Sequence, residues 1–145
     1  MKNATLLASI LLVLPLAGCL RQRMVDVDRP IVTTESGVSY EELLVGDGEV
    51  PELGQRLGID YICTLPDGTE IDSTRSRGQR YEFVFGEAFP KGIDDGIQGM
   101  HVGGRRRIVI PPAMAYGEEG VEGLIPPGTD LVFELELVEI IAEDE

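Results

Sequence analysis

The chain has 145 residues, of which 43% are hydrophobic, and this length and content are typical of one folded domain rather than of a disordered chain. Its 26 acidic and 12 basic residues give a formal charge of −14, which excludes nucleic acid as an expected partner because phosphate backbones are repelled. The 18 glycines and 9 prolines predict many turns and favour β structure, and the two cysteines lie in contexts too different to indicate a disulfide framework.

Residues 1–18 are predicted to be a signal peptide. Lys2 precedes an apolar run over residues 6–16, which is too short to span a bilayer comfortably. The run ends in Leu16-Ala17-Gly18-Cys19, which resembles the bacterial lipobox. We therefore expect cleavage before Cys19 and lipidation of that cysteine. The alternative is an ordinary secretory signal followed by an incidental cysteine.

Residues 19–34 are predicted to be the lipidated N-terminus and a flexible tether, because they lack clean periodicity and contain Pro30. A lipobox cysteine would carry several acyl chains, and stable anchoring requires more than one. We expect the protein to be lipid-anchored in the cell envelope, facing the periplasm or the surface. Leu20 stands where aspartate is associated with inner-membrane retention in some bacteria, which favours the outer membrane.

A folded domain is predicted over residues 35–141, beginning with two strands. Residues 38–45 (VSYEELLV) form the first, which ends at the turn cluster 46–48. In residues 57–65 apolar side chains occupy the odd positions, so Tyr61 and Cys63 are expected to point inward. Residues 66–69 (PDGT) are typical of a turn that reverses the chain.

Three more strands are predicted downstream. Residues 81–85 (YEFVF) are β-prone by composition, and the strand at 105–110 (RRRIVI) ends at two prolines that cannot donate to a ladder. Residues 131–141 form the last predicted strand, in which apolar residues at the odd positions 131–137 alternate with Glu134, Glu136 and partly with Val132 and Val138, which predicts one buried and one solvated face. Residues 142–145 are expected to be an acidic, solvated tail.

One helical pattern occurs, over residues 90–100. Ile93, Ile97 and Met100 fall at i, i+4 and i+7 behind a proline suited to a first helical turn. Three glycines weaken this helix by about 1 kcal/mol each relative to alanine, so packing must hold it. The pattern as a whole predicts an α+β fold, an antiparallel sheet of five to six strands (a half-barrel) wrapped around one short α-helix.

Nucleophilic and metal chemistry have few candidate residues. The single histidine, His101, lies in the turn after the predicted helix, and there is no nucleophile elbow and no paired His/Cys cluster. Hydrolase triads and zinc sites are therefore not expected, no metal or cofactor is predicted, and His101 is interpreted as a solvated turn residue. Cys63 is interpreted as a buried strand residue without a redox role.

Aromatic and aliphatic residues concentrate at turns and strand ends, which suggests the floor and rim of a cleft. Each of them taken singly is more typical of a core residue. The group comprises Tyr81, Phe83, Phe85, Phe89, Ile93, residues 115–117 (AYG) and residues 124–127 (LIPP).

Several motifs, read in order, resemble those of FKBP-type peptidyl-prolyl isomerases. They are Tyr61, residues 67–74 (DGTEIDST), 96–104 (GIQGMHVGG), 110–117 (IPPAMAYG), 125–127 (IPP) and 131–134 (LVFE). The resemblance covers residues 35–141 in unbroken order and implies an FKBP-like fold. It also implies isomerase activity on proline-containing unfolded or exported polypeptides and a possible macrolide ligand.

The resemblance assigns the site residue by residue. It implies catalytic positions at Tyr61, Asp72, Tyr116 and Phe133, with the Tyr116 hydroxyl offered to a peptide carbonyl and Asp72 beside the polar atoms of a bound ligand. It implies a substrate pocket formed by Ile71, Tyr81, Phe83, Phe89, Pro90, Ile93, Leu124 and Ile125, with Ile93 as the floor and Tyr81 at the edge.

Two pocket positions depart from the best-known family members. Ile71 stands where phenylalanine is usual, and Ile93 stands where tryptophan is usual. Both substitutions keep the pocket apolar but remove aromatic stacking area, so we expect weaker macrolide binding and lower turnover. The main alternative function is a proline-peptide-binding chaperone or scaffold module with little catalysis, and a non-enzymatic structural lipoprotein is a more distant one.

Overall fold

The computed structural model describes residues 29–143, which form seven strands and two short α-helices. The strands are β1 (Ile31–Thr33), β2 (Ser39–Leu44), β3 (Arg56–Thr64), β4 (Glu70–Ser73), β5 (Tyr81–Val84), β6 (Arg105–Ile110) and β7 (Leu131–Ile141). The helices are α1 (Thr74–Arg77) and α2 (Gly92–Ile97), and a 3-10 turn spans Pro112–Met114.

All seven strands join one antiparallel sheet in the order β1-β2-β6-β7-β3-β4. The long strand β3 divides its outer edge between two partners. Its first half, Arg56 to Ile59, pairs with β5, and its second half, Ile62 to Thr64, pairs with β4. The turn between β4 and β5 is therefore brought against the middle of β3, beside Tyr61.

The concave face of the sheet carries the core, as the alternation of side chains predicts. On β3 the inward residues Leu57, Ile59 and Cys63 are buried, and on β7 Leu135 and Leu137 are buried too. Glu134 and Glu136 point to the opposite, solvated face of β7. Each buried aliphatic side chain of this kind contributes about 1.5–3 kcal/mol of hydrophobic free energy.

Helix α2 lies across the concave face and packs on β6. Its predicted apolar positions Ile93 and Ile97, together with Met100, are buried. Gly96 faces Ile108, where an added Cβ would lie 2.6 Å from the Ile108 Cγ2. The helical glycines thus permit a close approach of helix to strand, and this is the packing that compensates for their low helix propensity.

The structure corrects the predicted strand count and one domain boundary. The predicted tether, 19–34, includes β1, which pairs with β2 through Val32 opposite Tyr40. Strand β4 was not predicted either, so the expected five to six strands become seven. Strands of three and four residues are too short to show a period, and their pairing with β2 and β3 is a tertiary effect.

Helix α1 is a further element that periodicity did not predict. Ser73 accepts a hydrogen bond from the Ser76 backbone N–H as an N-cap, and Gly78 ends the helix in the left-handed conformation. Helix α2 is shorter than the predicted 90–100, since it begins at Gly92 and ends at Ile97. The expectation of one short helix on an antiparallel sheet is otherwise confirmed.

The predicted signal peptide, Cys19 and most of the tether lie outside the described residues, as do the last two residues of the acidic tail. These predictions therefore stay predictions. Among the helices of residues 29–143, none has the length and apolar character needed to cross a membrane.

Candidate functional site

Four aromatic side chains form a continuous wall on the concave face. Tyr61 of β3 and Phe133 of β7 have ring centroids 5.4 Å apart, because Cys63 and Phe133 are paired across the two strands. Tyr61 meets Tyr81 of β5 edge to face at 6.1 Å, and Tyr81 stacks on Phe83 at 5.1 Å. Contacts of this geometry are favourable beyond their buried area, so they stabilise the wall.

One end of this wall carries a polar network centred on Asp72. The Tyr61 hydroxyl donates to Asp72 Oδ2 at 2.7 Å. The Arg77 guanidinium donates to the same carboxylate through Nε and Nη2, at 2.8 and 2.7 Å. Such a two-point contact fixes the carboxylate plane as well as its position. Asp72 therefore orients the Tyr61 hydroxyl.

The ionisation of this network follows from its contacts. Partial burial alone would raise the pKa of Asp72, but hydrogen bonds from Arg77 and Tyr61 outweigh burial and lower that pKa. Burial first, and the hydrogen bond to Asp72 second, raise the pKa of Tyr61 well above its usual value. At neutral pH Asp72 is thus an anion and Tyr61 a neutral phenol, which is the arrangement that the hydrogen bond requires.

A rim beside the wall is formed by Phe89 and Tyr116. Their rings meet edge to face with centroids 5.4 Å apart, and Phe89 is 61% exposed. The Phe89 backbone N–H donates to the Tyr81 hydroxyl at 3.2 Å, which ties this rim to the aromatic wall. Tyr116 is half-buried, and within residues 29–143 its hydroxyl makes no hydrogen bond.

The loop that carries Phe89 is fastened to α2 by Asp94. One oxygen of the Asp94 carboxylate accepts from the Gly86 N–H at 2.8 Å and the other from the Ala88 N–H at 3.0 Å. Burial raises the pKa of Asp94 more than these backbone hydrogen bonds lower it. The rim loop and the helix therefore form one hydrogen-bonded unit.

The loop that carries Leu124 and Ile125 closes on itself. Val121 and Ile125 exchange two backbone hydrogen bonds, of 2.9 and 2.8 Å. This turn buries Ile125, which is 4% exposed, and leaves Leu124 49% exposed. The two residues thus differ, with Ile125 in the core and Leu124 on the outer rim.

Beneath the wall lies a continuous apolar cluster. It contains the buried residues Ile93, Cys63 and Phe133, and Ile71 packs against it while partly exposed. Pro90 is buried just before α2. Burial first and the nearby Asp72 second raise the pKa of Cys63 to about 12, so its thiol stays neutral.

The structure brings most of the predicted site residues into one connected group. Tyr61, Phe133, Tyr81 and Phe83 are in direct ring contact, Asp72 joins them through Tyr61, and Phe89 joins Tyr116. Leu124 is the least integrated of the predicted residues, since it is half exposed on its loop. The individual catalytic and substrate-binding roles stay predictions.

Two residues of the site were not predicted. Arg77 was missed because it lies on α1, which was not predicted, although a basic residue five positions after Asp72 is a usable signal. Asp94 was missed because its partners are backbone N–H groups in a loop, which leave no sequence pattern. His101 is partly buried, and its Nδ1 lies 2.9 Å from the Gly48 carbonyl oxygen, so it is more fixed than a solvated turn residue.

Neither a second depression nor a metal site offers a better candidate among the described residues. A depression of about 490 Å³ lies on the solvated face of the sheet and is lined by charged side chains such as Asp60, Arg80 and Glu136. Most of its lining residues are charged or polar, whereas small-molecule sites are lined predominantly by apolar and aromatic side chains. Among residues 29–143 no three His, Cys, Asp or Glu side chains are arranged to hold a metal ion.

Comparison with known proteins gives one consistent result. Residues 48–138 match the family of FKBP-type peptidyl-prolyl cis-trans isomerases. The chain is 37% identical over 106 residues to the peptidyl-prolyl cis-trans isomerase Fkbp12 of Drosophila melanogaster, a match covering 72% of this chain and 98% of the fly protein. The crystal structure of AtFKBP13 is similar with a TM-score of 0.72 and 31% identity, covering 77% of this chain and 99% of that chain.

Longer relatives match over part of their length. FK506-binding protein 4 of Dictyostelium discoideum is 40% identical over 108 residues, which cover 74% of this chain and 29% of that protein. The chain therefore spans less than a third of this relative.

Proposed function

The chain belongs to the FKBP-type peptidyl-prolyl cis-trans isomerase family, and from this premise we propose that its aromatic cleft catalyses rotation about peptide bonds that precede proline. The observation that carries the proposal is the cleft itself. It combines an aromatic wall of Tyr61, Tyr81, Phe83 and Phe133 with the hydroxyl of the half-buried Tyr116 on the adjoining rim. In this proposal a proline ring packs on the wall, and the preceding carbonyl accepts a hydrogen bond from the rim.

The reaction needs no nucleophile, because no covalent bond is broken. The barrier to rotation arises from amide resonance and amounts to about 18–20 kcal/mol. A twisted amide has lost that resonance, so its carbonyl is less polar than in the planar form. A dry apolar cleft therefore disfavours the planar amide more than the twisted one, and each 1.4 kcal/mol or so of this difference accelerates rotation about tenfold.

The polar groups orient the substrate. Tyr116 is a neutral phenol at neutral pH, since burial raises its pKa, and its O–H group is therefore able to donate a hydrogen bond. Asp72 is held as an anion by Arg77 and lies at the end of the wall formed by Tyr61. In this proposal Tyr116 binds the carbonyl before proline, and Asp72 keeps Tyr61 in place beside the proline ring.

The test is a refolding assay in which prolyl isomerisation limits the rate. The purified protein is expected to accelerate the slow phase, which takes tens to hundreds of seconds without a catalyst. Replacing Tyr116 by Phe removes one hydrogen bond and should lower kcat/KM by about 2- to 10-fold. Tyr40→Phe is the matched control, because it removes a phenol hydroxyl on β2, outside the cleft.

Absence of any acceleration by the parent protein, with proline peptides still bound, would overturn the catalytic proposal. The chain would then be a binding module for proline-containing segments, which is the alternative function. A proline peptide titrated against the parent and Tyr116→Phe proteins separates the two outcomes, because binding is measured without catalysis.

The substrates and place of action extend the proposal. The lipobox resemblance at Cys19 supports an anchored enzyme that assists exported, proline-containing polypeptides at a membrane surface in the cell envelope. Mass spectrometry of protein extracted from membranes should find a diacyl- or triacyl-modified Cys19 at the N-terminus. An unmodified chain that begins upstream of Cys19 would contradict the anchor without touching the isomerase proposal.

A macrolide is a second proposed ligand of the cleft. The Dictyostelium relative is named an FK506-binding protein, and this supports testing FK506 here. Ile71 and Ile93 are aliphatic and cannot stack on a ligand as aromatic residues at the same positions would, so we expect weak FK506 binding. Titration with FK506, followed by tyrosine fluorescence, checks this, and very tight binding would contradict the role given to the two isoleucines.

A further inference from the structure

A buried arginine lies behind the cleft, where the proposed mechanism does not use it. The Arg106 side chain on β6 is 5% exposed, whereas its neighbours Arg105 and Arg107 point to the solvated face. Removing a guanidinium from water is unfavourable unless its donors are satisfied. The hydrogen-bond partners of Arg106 therefore indicate which elements the buried side chain holds together.

Three elements meet at the Arg106 guanidinium. Nε donates to Glu42 Oε2 of β2 at 2.8 Å, and the Tyr40 ring of the same strand lies 4.1 Å from the guanidinium carbon. Nη1 donates to the backbone carbonyls of Gly96 and Gln98, at 2.9 and 2.8 Å. One side chain thus connects β2 and β6 to the C-terminal end of α2.

Helix α2 needs this connection, because it has little stability of its own. It contains six residues, two of them glycine, and its N-cap residue Lys91 makes no side-chain capping hydrogen bond. The last carbonyls of a helix have no partner within the helix, and a positive charge there is favourable. Arg106 supplies both the hydrogen bonds and the charge at that end.

The same helix supports two parts of the cleft. Ile93, one helical turn before Ile97, belongs to the apolar cluster beneath the aromatic wall. Asp94 holds the loop that carries Phe89 through the Gly86 and Ala88 N–H groups. Because the Gly96 carbonyl lies only three residues after Ile93 in the same helix, we expect a shift of its C-terminal end to displace Ile93 and the rim loop as well.

We propose that Arg106 is a positioning residue for the cleft, which holds α2 on β6 and thereby sets the place of Ile93 and of the Phe89 rim. The proposal rests on the proposed isomerase function. It differs from a purely structural role in one respect. A structural role affects how much protein is folded, whereas a positioning role alters the cleft in the folded protein.

The experiment compares Arg106→Met and Arg106→Lys with Arg107→Met. Arg107 is the matched control, because it is an arginine on the same strand with an exposed side chain. Each protein is assayed well below its Tm, and the Ile93 methyl resonance is followed by NMR after assignment with Ile93→Val. Arg106→Met should lower kcat/KM about tenfold and shift the Ile93 methyl resonance, while Arg107→Met changes neither.

Arg106→Lys keeps the charge but cannot reach Glu42 and both carbonyls together, so it should lie between the parent and Arg106→Met in both measurements. If Arg106→Met does not fold, the lysine variant decides. A folded variant with kcat/KM within twofold of the parent and an unmoved Ile93 methyl overturns the proposal. If the parent itself lacks activity, the isomerase proposal fails, and the methyl shift still tests the positioning role.

Discussion

At the scale of single residues, the polar network at the end of the aromatic wall consists of groups that each have a defined partner. Asp72 is the clearest case, since one carboxylate receives the Tyr61 hydroxyl and two donors from Arg77. Among the described residues no buried side-chain nitrogen or oxygen is left without a hydrogen bond. An unsatisfied buried donor or acceptor costs about 1–3 kcal/mol, so these contacts stabilise the site as well as orient it.

Asp72 should make part of the stability depend on pH. Its pKa is lowered in the folded state, so between the folded and unfolded pKa values the unfolded chain binds more protons. The free energy of unfolding therefore rises with pH in that window, and the contribution is lost as pH falls from about 5 through the folded pKa. Urea unfolding of Asp72→Asn between pH 3 and 7 should show a flatter profile than the parent.

The expected loss for Asp72→Asn at pH 7 is about 1 kcal/mol, less than a buried ion pair would give, because the Arg77 side chain is 62% exposed. Asp130→Asn, an exposed aspartate before β7, is the control. Parallel pH profiles for the parent and Asp72→Asn would show that the carboxylate is not stabilised by its partners.

Cys63 should be chemically inert in the folded protein. Its side chain is 2% exposed, and a pKa of about 12 leaves about one thiol in ten thousand ionised at pH 8. Iodoacetamide at pH 8 should leave Cys63 unmodified in buffer and modify it in urea, as peptide mapping by mass spectrometry can measure. Rapid modification of the native protein would mean that the cluster beneath the cleft opens.

At the scale of elements, α2 depends on its fit to β6 more than on its own propensity. The close approach requires the absence of a side chain at Gly92 and Gly96, which face Ile110 and Ile108. The helix has an unfavourable composition and is nevertheless formed. The packing of Ile93 and Ile97 and the contacts of Arg106 account for this difference.

Gly96→Ala tests that dependence. Alanine favours a helix by about 1 kcal/mol over glycine, so propensity alone predicts a gain in stability. The added Cβ would lie 2.6 Å from Ile108 Cγ2, and overpacking of this kind costs about 1–3 kcal/mol. We expect a net loss of about 1 kcal/mol in the free energy of unfolding, measured in urea.

The control for Gly96→Ala is Gln98→Ala, an exposed position just after α2 whose backbone carbonyl is kept. This change should leave the free energy of unfolding within about 0.5 kcal/mol of the parent. A more stable Gly96→Ala protein would mean that the helix can move away from β6 at little cost.

At the scale of the whole molecule, the excess of acidic residues is the dominant property. With a formal charge of −14, like charges repel across the surface, and few of them are offset by local pairs such as Arg80 with Glu139. Raising the ionic strength from about 10 to 150 mM shortens the screening length from about 30 to 8 Å. The Tm should therefore rise by a few degrees over this range.

Thermal unfolding in NaCl and in KCl measures this effect. Equal shifts in the two salts would assign it to screening rather than to binding of a particular cation. A Tm that falls with salt would mean that the ion pairs contribute more than the net repulsion, which would contradict the prediction.

Some strands and helices were predicted from the sequence with their bounds, and others were not predicted at all. Strands β6 and β7 have the predicted bounds, because β6 ends at prolines and the middle of β7 alternates buried leucines with exposed glutamates. Strands β1 and β4 and helix α1 were not predicted. They are three or four residues long, and their stability comes from pairing with β2 and β3 or from the Ser73 cap.

Some residues of the candidate site were likewise predicted from the sequence, and others were found only in the structure. Tyr61, Asp72, Tyr116 and Phe133 were identified from motifs, because a family resemblance preserves residue types at a spacing that sequence displays. Arg77, Asp94 and Arg106 were not identified, because each acts through a contact with a carboxylate or a backbone group brought near by folding.

The sequence by itself determined the charge, the long strands, the buried face of the sheet and the family resemblance, because these depend on composition and on the local period of side chains. Only the tertiary structure decided that Arg106 reaches the end of α2 and that Asp94 joins α2 to the rim loop. Hydrogen-bond partners separated along the chain are set by the packing of strands and helices, and no local pattern encodes them.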